Sequence, residues 1–239
     1  MSSPEILPFA DTAELVGAVA QNWLAAIRGD VARDGAHRVA LPGGRVAGRF
    51  MGAAAVSAAE AGLSWDPVEF YWGDERCVPP DHADSNYRLA AEALLNPAGI
   101  PAPKRHRLRG ELPPEEAARL ASKELRETLP SSPDGIPMLD LVFLGMGEDG
   151  HVASLFPCAT EEVLRSREPV LEVIGPKPPP QRLTLGFPVL AAARQVWVLA
   201  SGVGKEDALR RSLGPGLQTP LARLLSLRPQ TRIFTDIVI

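Results

Sequence analysis

Leu139-Asp140-Leu141-Val142-Phe143-Leu144-Gly145-Met146-Gly147-Glu148-Asp149-Gly150-His151 is the stretch that decides the fold, and it continues as Val152-Ala153-Ser154-Leu155-Phe156-Pro157. Its apolar run, Leu141–Leu144, is too short for a helix and is bounded by Pro137 and Gly145. Such a run reads as a parallel strand buried on both faces. Three glycines, two acids and a histidine follow at once. Glycine lets a backbone turn sharply and come close to a ligand. The strand therefore presents chemistry at its carboxyl end, the edge where open α/β sheets bind ligands.

Upstream, Asp11-Thr12-Ala13-Glu14 is a capping-box pattern, and Leu15, Val19, Trp23 and Ile27 recur at helical spacing. Arg38–Leu41 reads as a strand ending at Pro42-Gly43-Gly44-Arg45, before an alanine-rich helix to about Ala61. Val68–Trp72 is an aromatic strand stopped by Gly73. A polar loop then leads to a helix from about Asn86 to Leu95. Pro113-Pro114-Glu115-Glu116 is a helix start, with Ala117, Ala121, Leu125 and Leu129 on the buried face.

Downstream, Val170–Val173 and Arg182–Leu185 read as weaker strands, and Val196–Ala200 as a strong one. Ser201-Gly202-Val203-Gly204 hands over to a helix containing Lys205, Leu209 and Leu213. A short helix around Leu221–Leu225 and a strand at Ile233–Val238 close the chain. Strands alternating with helices imply an α/β fold, a Rossmann-like three-layer α/β/α arrangement on a mostly parallel sheet. With no repeat and no linker, 239 residues suit a single domain.

Composition narrows the function. With 45% hydrophobic and 23% charged residues the chain matches an ordinary globular protein. A formal net charge of -4 and the absence of a long basic run argue against nucleic acid as a partner. No window approaches a membrane span, and the amino terminus lacks a signal-like apolar core. Cys77 and Cys158 form no metal-ligand spacing, so reduced thiols in a cytoplasmic protein, with no metal and no cofactor, are expected. The 24 prolines lie mostly between periodic segments and stiffen loops.

Three loops after strands hold the chemically suggestive residues. Pro42-Gly43-Gly44-Arg45 enters a helix, where backbone N–H groups suit an anion; a tight strand-to-helix turn is the plainer reading. Gly73-Asp74-Glu75-Arg76 is either a binding edge or a solvated strand end. In the third loop His151 is the candidate base, beside Asp149. Lys205 at a helix start makes sense if an anion lies between it and the positive helix end, and Arg182 after the proline loop is a further candidate cation. His37, His82 and His106 are expected at the surface. Trp23, Trp65, Trp72 and Trp197 are expected in or near the core. No nucleotide-binding P-loop, nucleophile elbow or metal cluster is present in the sequence.

Together these loops resemble the 6-phosphogluconolactonases, a branch of the superfamily that also holds glucosamine-6-phosphate deaminases. The resemblance rests on four blocks. They are Gly73–Pro79 continuing to Asp84-Ser85-Asn86-Tyr87-Arg88; Gly145–His151 with Ala153–Pro157; Pro178–Leu185; and Gly202–Lys205. It runs from about Ala40 to Leu209. One departure stands out: where the family usually has S-G-G-S, this chain has Pro42-Gly43-Gly44-Arg45, so both flanking hydroxyls are gone.

The resemblance implies hydrolysis of 6-phospho-D-glucono-1,5-lactone to 6-phosphogluconate, the second step of the oxidative pentose phosphate pathway, by a monomer or homodimer acting on a small-molecule sugar phosphate lactone. An electrophilic lactone carbonyl needs a positioned water and a base near neutrality, which a histidine supplies. His151 is then the base, oriented by Asp149. N–H groups of the Gly145–Gly150 loop, Gly147 and Gly150 included, become candidates for holding the oxyanion. Gly43, Gly44, Arg45, Asp74, Arg76, Arg182 and Lys205 form the substrate and phosphate grip. A deaminase would continue D-G-H with I-A-F-N-E-P, but Val152–Pro157 lacks that glutamate. A non-catalytic sugar-phosphate sensor on this fold would carry a helix-turn-helix, for which too few residues precede the first helix.

Overall fold

The computed structural model describes residues 3–228 and 230–238. Strand β1 (Glu5–Pro8) leads to helix α1 (Thr12–Asp34). Asp11 starts this helix by accepting the N–H groups of Ala13 and Glu14 at 2.7 and 2.9 Å, while Glu14 accepts Ala10 N–H at 2.8 Å. These bonds satisfy amides that a helix leaves unpaired at its start. Gly35 then ends α1 in the left-handed conformation, donating to Val31. Next come β2 (His37–Leu41), α2 (Arg45–Glu60), β3 (Val68–Trp72), β4 (Asp74–Arg76) and α3 (Asn86–Ala90), which continues as a π turn over Ala91–Leu95. Helix α4 (Pro114–Thr128) precedes β5 (Leu141–Gly145), α5 (Glu161–Arg165), β6 (Val170–Ile174) and β7 (Gln181–Leu185). The chain closes with α6 (Phe187–Ala192), β8 (Gln195–Ala200), α7 (Glu206–Leu213), α8 (Pro220–Leu227) and β9 (Arg232–Thr235).

Six strands form one parallel sheet in the order β1-β9-β8-β5-β2-β3. The expected α/β architecture on a mostly parallel sheet, flanked by helices, is what the chain adopts. Its centre is apolar on both faces. Phe143 on β5 packs edge-on against Trp23 of α1 at 5.1 Å and Trp197 of β8 at 5.5 Å, and lies 4.7 Å from Phe50 of α2. All four rings are buried, and removing each from water stabilises the fold by roughly 2–3 kcal/mol.

Strand order reverses between β2 and β5. From β2 the chain builds outward to β3, and from β5 it builds the other way to β8 and β9. Such a switch point leaves a crevice beyond the strands' carboxyl ends. The loops Pro42–Arg45 and Gly145–His151 leave the sheet there.

The polar stretch after β3 is not a solvated loop. Gly73 donates to Leu41 O and accepts from Leu185 N–H, both at 2.9 Å, and so carries the chain out of the main sheet. Asp74–Arg76 then pairs antiparallel with β7 in a second sheet ordered β4-β7-β6. Three short elements, β1, α5 and α6, carry no clear sequence signal.

Of the three histidines expected at the surface, one is inside and one is half-buried. His37 is fully buried: Nδ1 meets Asp30 Oδ2 at 2.6 Å and Nε2 accepts the Trp23 indole N–H at 3.0 Å. His106 bridges Glu124 (2.8 Å) and Glu69 (3.0 Å) and stacks on Tyr71. His82 is exposed as expected. Among the described residues no helix is long and apolar enough to cross a membrane.

Candidate functional site

A cavity of about 610 Å³ fills the crevice at the switch point. Its walls come from the turn after β2, the start of α2, the ends of β4 and β5, and the Ser201–Lys205 turn after β8. Of the residues expected from sequence, Gly43, Gly44, Arg45, Asp74, Arg76, Gly147, His151 and Lys205 line it. Asp149, Gly150 and Arg182 stand outside this wall. Thr12, Arg49, Asn86, Glu148 and Ser201 line it without having been anticipated.

His151 is held from behind. Its Nδ1 lies 2.5 Å from Asp149 Oδ1, and its backbone N–H donates to the same oxygen at 3.1 Å. Burial works against a charged Asp149, but the neighbouring imidazole and backbone N–H outweigh it and hold the carboxyl below its usual value. An ionised Asp149 can only accept, which places the ring proton on Nδ1. Nε2 makes no hydrogen bond to a described residue. The ring also rests against Phe156, centroids 4.7 Å apart. A Cβ at Gly147 would lie 2.1 Å from two atoms of the imidazole, so only glycine leaves room for it.

The turn's own amides are partly spent. Gly147 N–H donates to His151 O at 2.9 Å, and Gly150 N–H to Gly147 O at 3.0 Å. These two groups therefore brace the loop, which narrows the expectation that they face a developing oxyanion. The Gly150 carbonyl accepts from Leu221 at 3.1 Å, tying the loop to α8.

Opposite stands an acidic and amide cluster built on β4. Asp74, 8% exposed, accepts the Ser154 hydroxyl at 2.6 Å, and the Asn86 amide donates to its backbone oxygen at 2.9 Å. Glu75 is 2% exposed, and its carboxylate accepts from Arg76 N–H, Asn86 N–H, Tyr87 N–H and the Ser85 hydroxyl. Burial pushes the Glu75 carboxyl up although these donors favour its charge. This network explains why Asp74-Glu75 and Ser85-Asn86-Tyr87 occur together: one segment caps the other. Gly43 presses on the result, since a Cβ there would lie 2.1 Å from Asn86 Oδ1.

Cations surround the remaining wall. Helix α2 begins at Gly44 with no side-chain cap and no acid in its first turn. Arg76 donates to Asp84 O at 2.7 Å, while its buried Nε has no partner among the described residues. Burial depresses the Lys205 ammonium, Glu148 opposes that, and nearby Arg45 adds to it. Arg182, 7% exposed, donates to the carbonyls of Pro179 (2.6 Å) and Lys177 (3.3 Å) and lies opposite Arg76 in the β4–β7 register. Asp236, after β9, accepts the hydroxyls of Thr12 (2.6 Å) and Ser201 (2.7 Å), both in the cavity wall. Burial pushes the Cys77 thiol up to about 11, with Glu75 and Glu172 adding, which removes it as a nucleophile. No group of three or more metal-ligating side chains occurs among the described residues.

The fold defines the class first: an open parallel α/β protein whose cavity opens at the strand-order reversal. The chain belongs to the family described as glucosamine-6-phosphate isomerases/6-phosphogluconolactonase, whose model matches residues 10–233. Its relatives include 6-phosphogluconolactonase of Mycobacterium bovis, 36% identical over 89% of this chain and 86% of that protein. The human 6-phosphogluconolactonase is 45% identical over 66% of this chain and 60% of its own. Among solved structures, 6-phosphogluconolactonase from Trypanosoma brucei superposes with a TM-score of 0.86 at 27% identity, covering 98% and 97% of the two chains. A monomeric glucosamine-6-phosphate deaminase, 16% identical with a TM-score of 0.80, shares the fold.

Proposed function

We propose that this chain is a 6-phosphogluconolactonase, hydrolysing 6-phospho-D-glucono-1,5-lactone to 6-phosphogluconate in the oxidative pentose phosphate pathway. Relatives bearing that name support the reaction. The observation that carries the mechanism is His151, with Nδ1 committed to Asp149 and Nε2 without a partner among the described residues, in a cavity whose wall includes Arg45, Arg76 and Lys205. Nε2 takes a proton from water as its oxygen attacks the lactone C1. The tetrahedral intermediate collapses, the C1–ring-oxygen bond breaks, and the imidazolium returns the proton to the departing oxygen. Asp149 fixes the tautomer and stabilises the transient charge. Arg45, Arg76, Lys205 and the free first-turn amides of α2 bind the 6-phosphate, and Asp74 and Asn86 lie within reach of sugar hydroxyls. Arg182 backs Arg76 from the second sheet.

His151→Ala should lower kcat by about 10²–10⁴-fold, the usual contribution of a general base, while 6-phosphogluconate still binds. The assay couples fresh lactone to NADP-linked oxidation of the product. Near-normal turnover in that variant removes His151 from the mechanism. A wild-type protein no faster than spontaneous hydrolysis removes the function.

A further inference from the structure

Arg49 lies one helical turn beyond Arg45 on α2, and both line the cavity. Side chains four residues apart share a helix face. Both arginines are exposed, and neither reaches an acid, a carbonyl or an aromatic ring among the described residues. Some arginines here do find acids, Arg88 with Glu92 and Arg165 with Glu161, while Arg28, Arg119, Arg167 and Arg211 are exposed without an ion pair among the described residues, so it is their place in the cavity wall that sets Arg45 and Arg49 apart. Two like charges at this spacing oppose a helix. Cations near a helix start oppose its dipole as well. In the same wall Lys205 and Arg76 add two further positive charges, and Asp74 and Glu148 set two carboxylates against the four. The four cations less these two carboxylates leave a formal positive excess that a phosphate monoester, with close to two negative charges, matches better than a monoanion does.

We propose that Arg49 is a specificity-determining residue, which together with Arg45 grips the phosphate monoester of the substrate and makes the enzyme selective for the phosphorylated lactone. The proposal rests on the lactonase reading. It assigns the outer part of the phosphate grip to two solvent-exposed guanidinium groups, so affinity there falls steeply with ionic strength.

The test is Arg49→Gln, with Arg49→Lys as the charge-retaining control. KM for the phosphorylated lactone should rise about tenfold in Arg49→Gln, equivalent to about 1.4 kcal/mol. The salt dependence of KM should flatten, kcat should hold, and Arg49→Lys should recover much of the loss. Turnover of the same lactone without its phosphate should not change. An unchanged KM and salt slope in Arg49→Gln overturn the proposal, as does an equal loss on both lactones. Titration of wild type and Arg49→Gln with 6-phosphogluconate reads the same contact without catalysis. A wild type that binds this ligand more tightly than the variant, yet hydrolyses no lactone, sinks the lactonase reading and leaves the Arg49 contact standing.

Discussion

Among the described residues two histidines hydrogen-bond Nδ1 to an aspartate carboxylate, and the fate of Nε2 separates them. In His37 that nitrogen accepts the Trp23 indole proton inside the core. In His151 it has no hydrogen-bond partner among the described residues, and the residue lines the cavity. The same pairing thus makes one residue structural and leaves the other available for proton transfer. Gly147 is the residue that permits the second arrangement, because any Cβ would occupy the imidazole's place. Gly147→Ala should therefore lower kcat by about 10²-fold or more, since misplacing a base by about 1 Å has that effect. The ring can move into the cavity, so the melting temperature should shift little; steady-state kinetics beside thermal unfolding checks both. At this scale the sequence was readable where the chemistry is local. Asp149 and His151 are two residues apart and follow a buried strand. His37 was misread because its partners, Asp30 and Trp23, are recognisable only once α1 is folded against β2. Arg49 carried a signal, its four-residue spacing from Arg45 on a helix. Thr12 and Ser201 carried none, being brought together from distant parts of the chain.

Elements show the same division. Helices α1 and α4 and strands β2, β3, β5 and β8 follow from periodicity and end signals. Strand β4 does not, because Asp74-Glu75-Arg76 has no strand pattern and becomes extended only by pairing with β7. Contacts between elements also make stability depend on pH. His106 joins β3 to α4 through Glu69 and Glu124, and chiefly the hydrogen bond to Glu124 raises its pKa above 6.5, with burial opposing. A raised histidine pKa means that the folded state holds the proton more tightly than the unfolded one. That contribution is complete below about 6.5 and disappears as pH rises through the folded value. His106→Gln should therefore lose more stability relative to wild type at pH 6 than at pH 9, as read by urea unfolding at both. A gap independent of pH would show that packing on Tyr71, not charge, is what His106 contributes.

Across the whole molecule, the two edges of the main sheet have different tasks. At the amino edge Asp140, 1% exposed, accepts from Arg38 N–H at 2.9 Å and from the guanidinium groups of Arg33 and Arg38 at 3.3 Å, and forms an ion pair with Arg194 at 3.2 Å. This knot joins the starts of β2, β5 and β8 to the end of α1. Asp140→Ala strands three arginines around an empty place and should cost about 3 kcal/mol, the low end for breaking a buried pair because the arginines remain partly hydrated. Denaturant unfolding measures the loss, and kcat should stay near wild type because the cavity lies at the other edge. There Asp236 has a quieter effect. Two hydroxyl protons, from Thr12 and Ser201, already point at one of its oxygens. Their oxygens, 3.1 Å apart, have only lone pairs left to offer. This corner of the cavity is consequently a one-way surface for hydrogen bonding: it greets a guest's O–H or N–H and turns away a bare carbonyl or phosphoryl oxygen, because the carboxylate of Asp236 already draws both hydroxyl protons to itself.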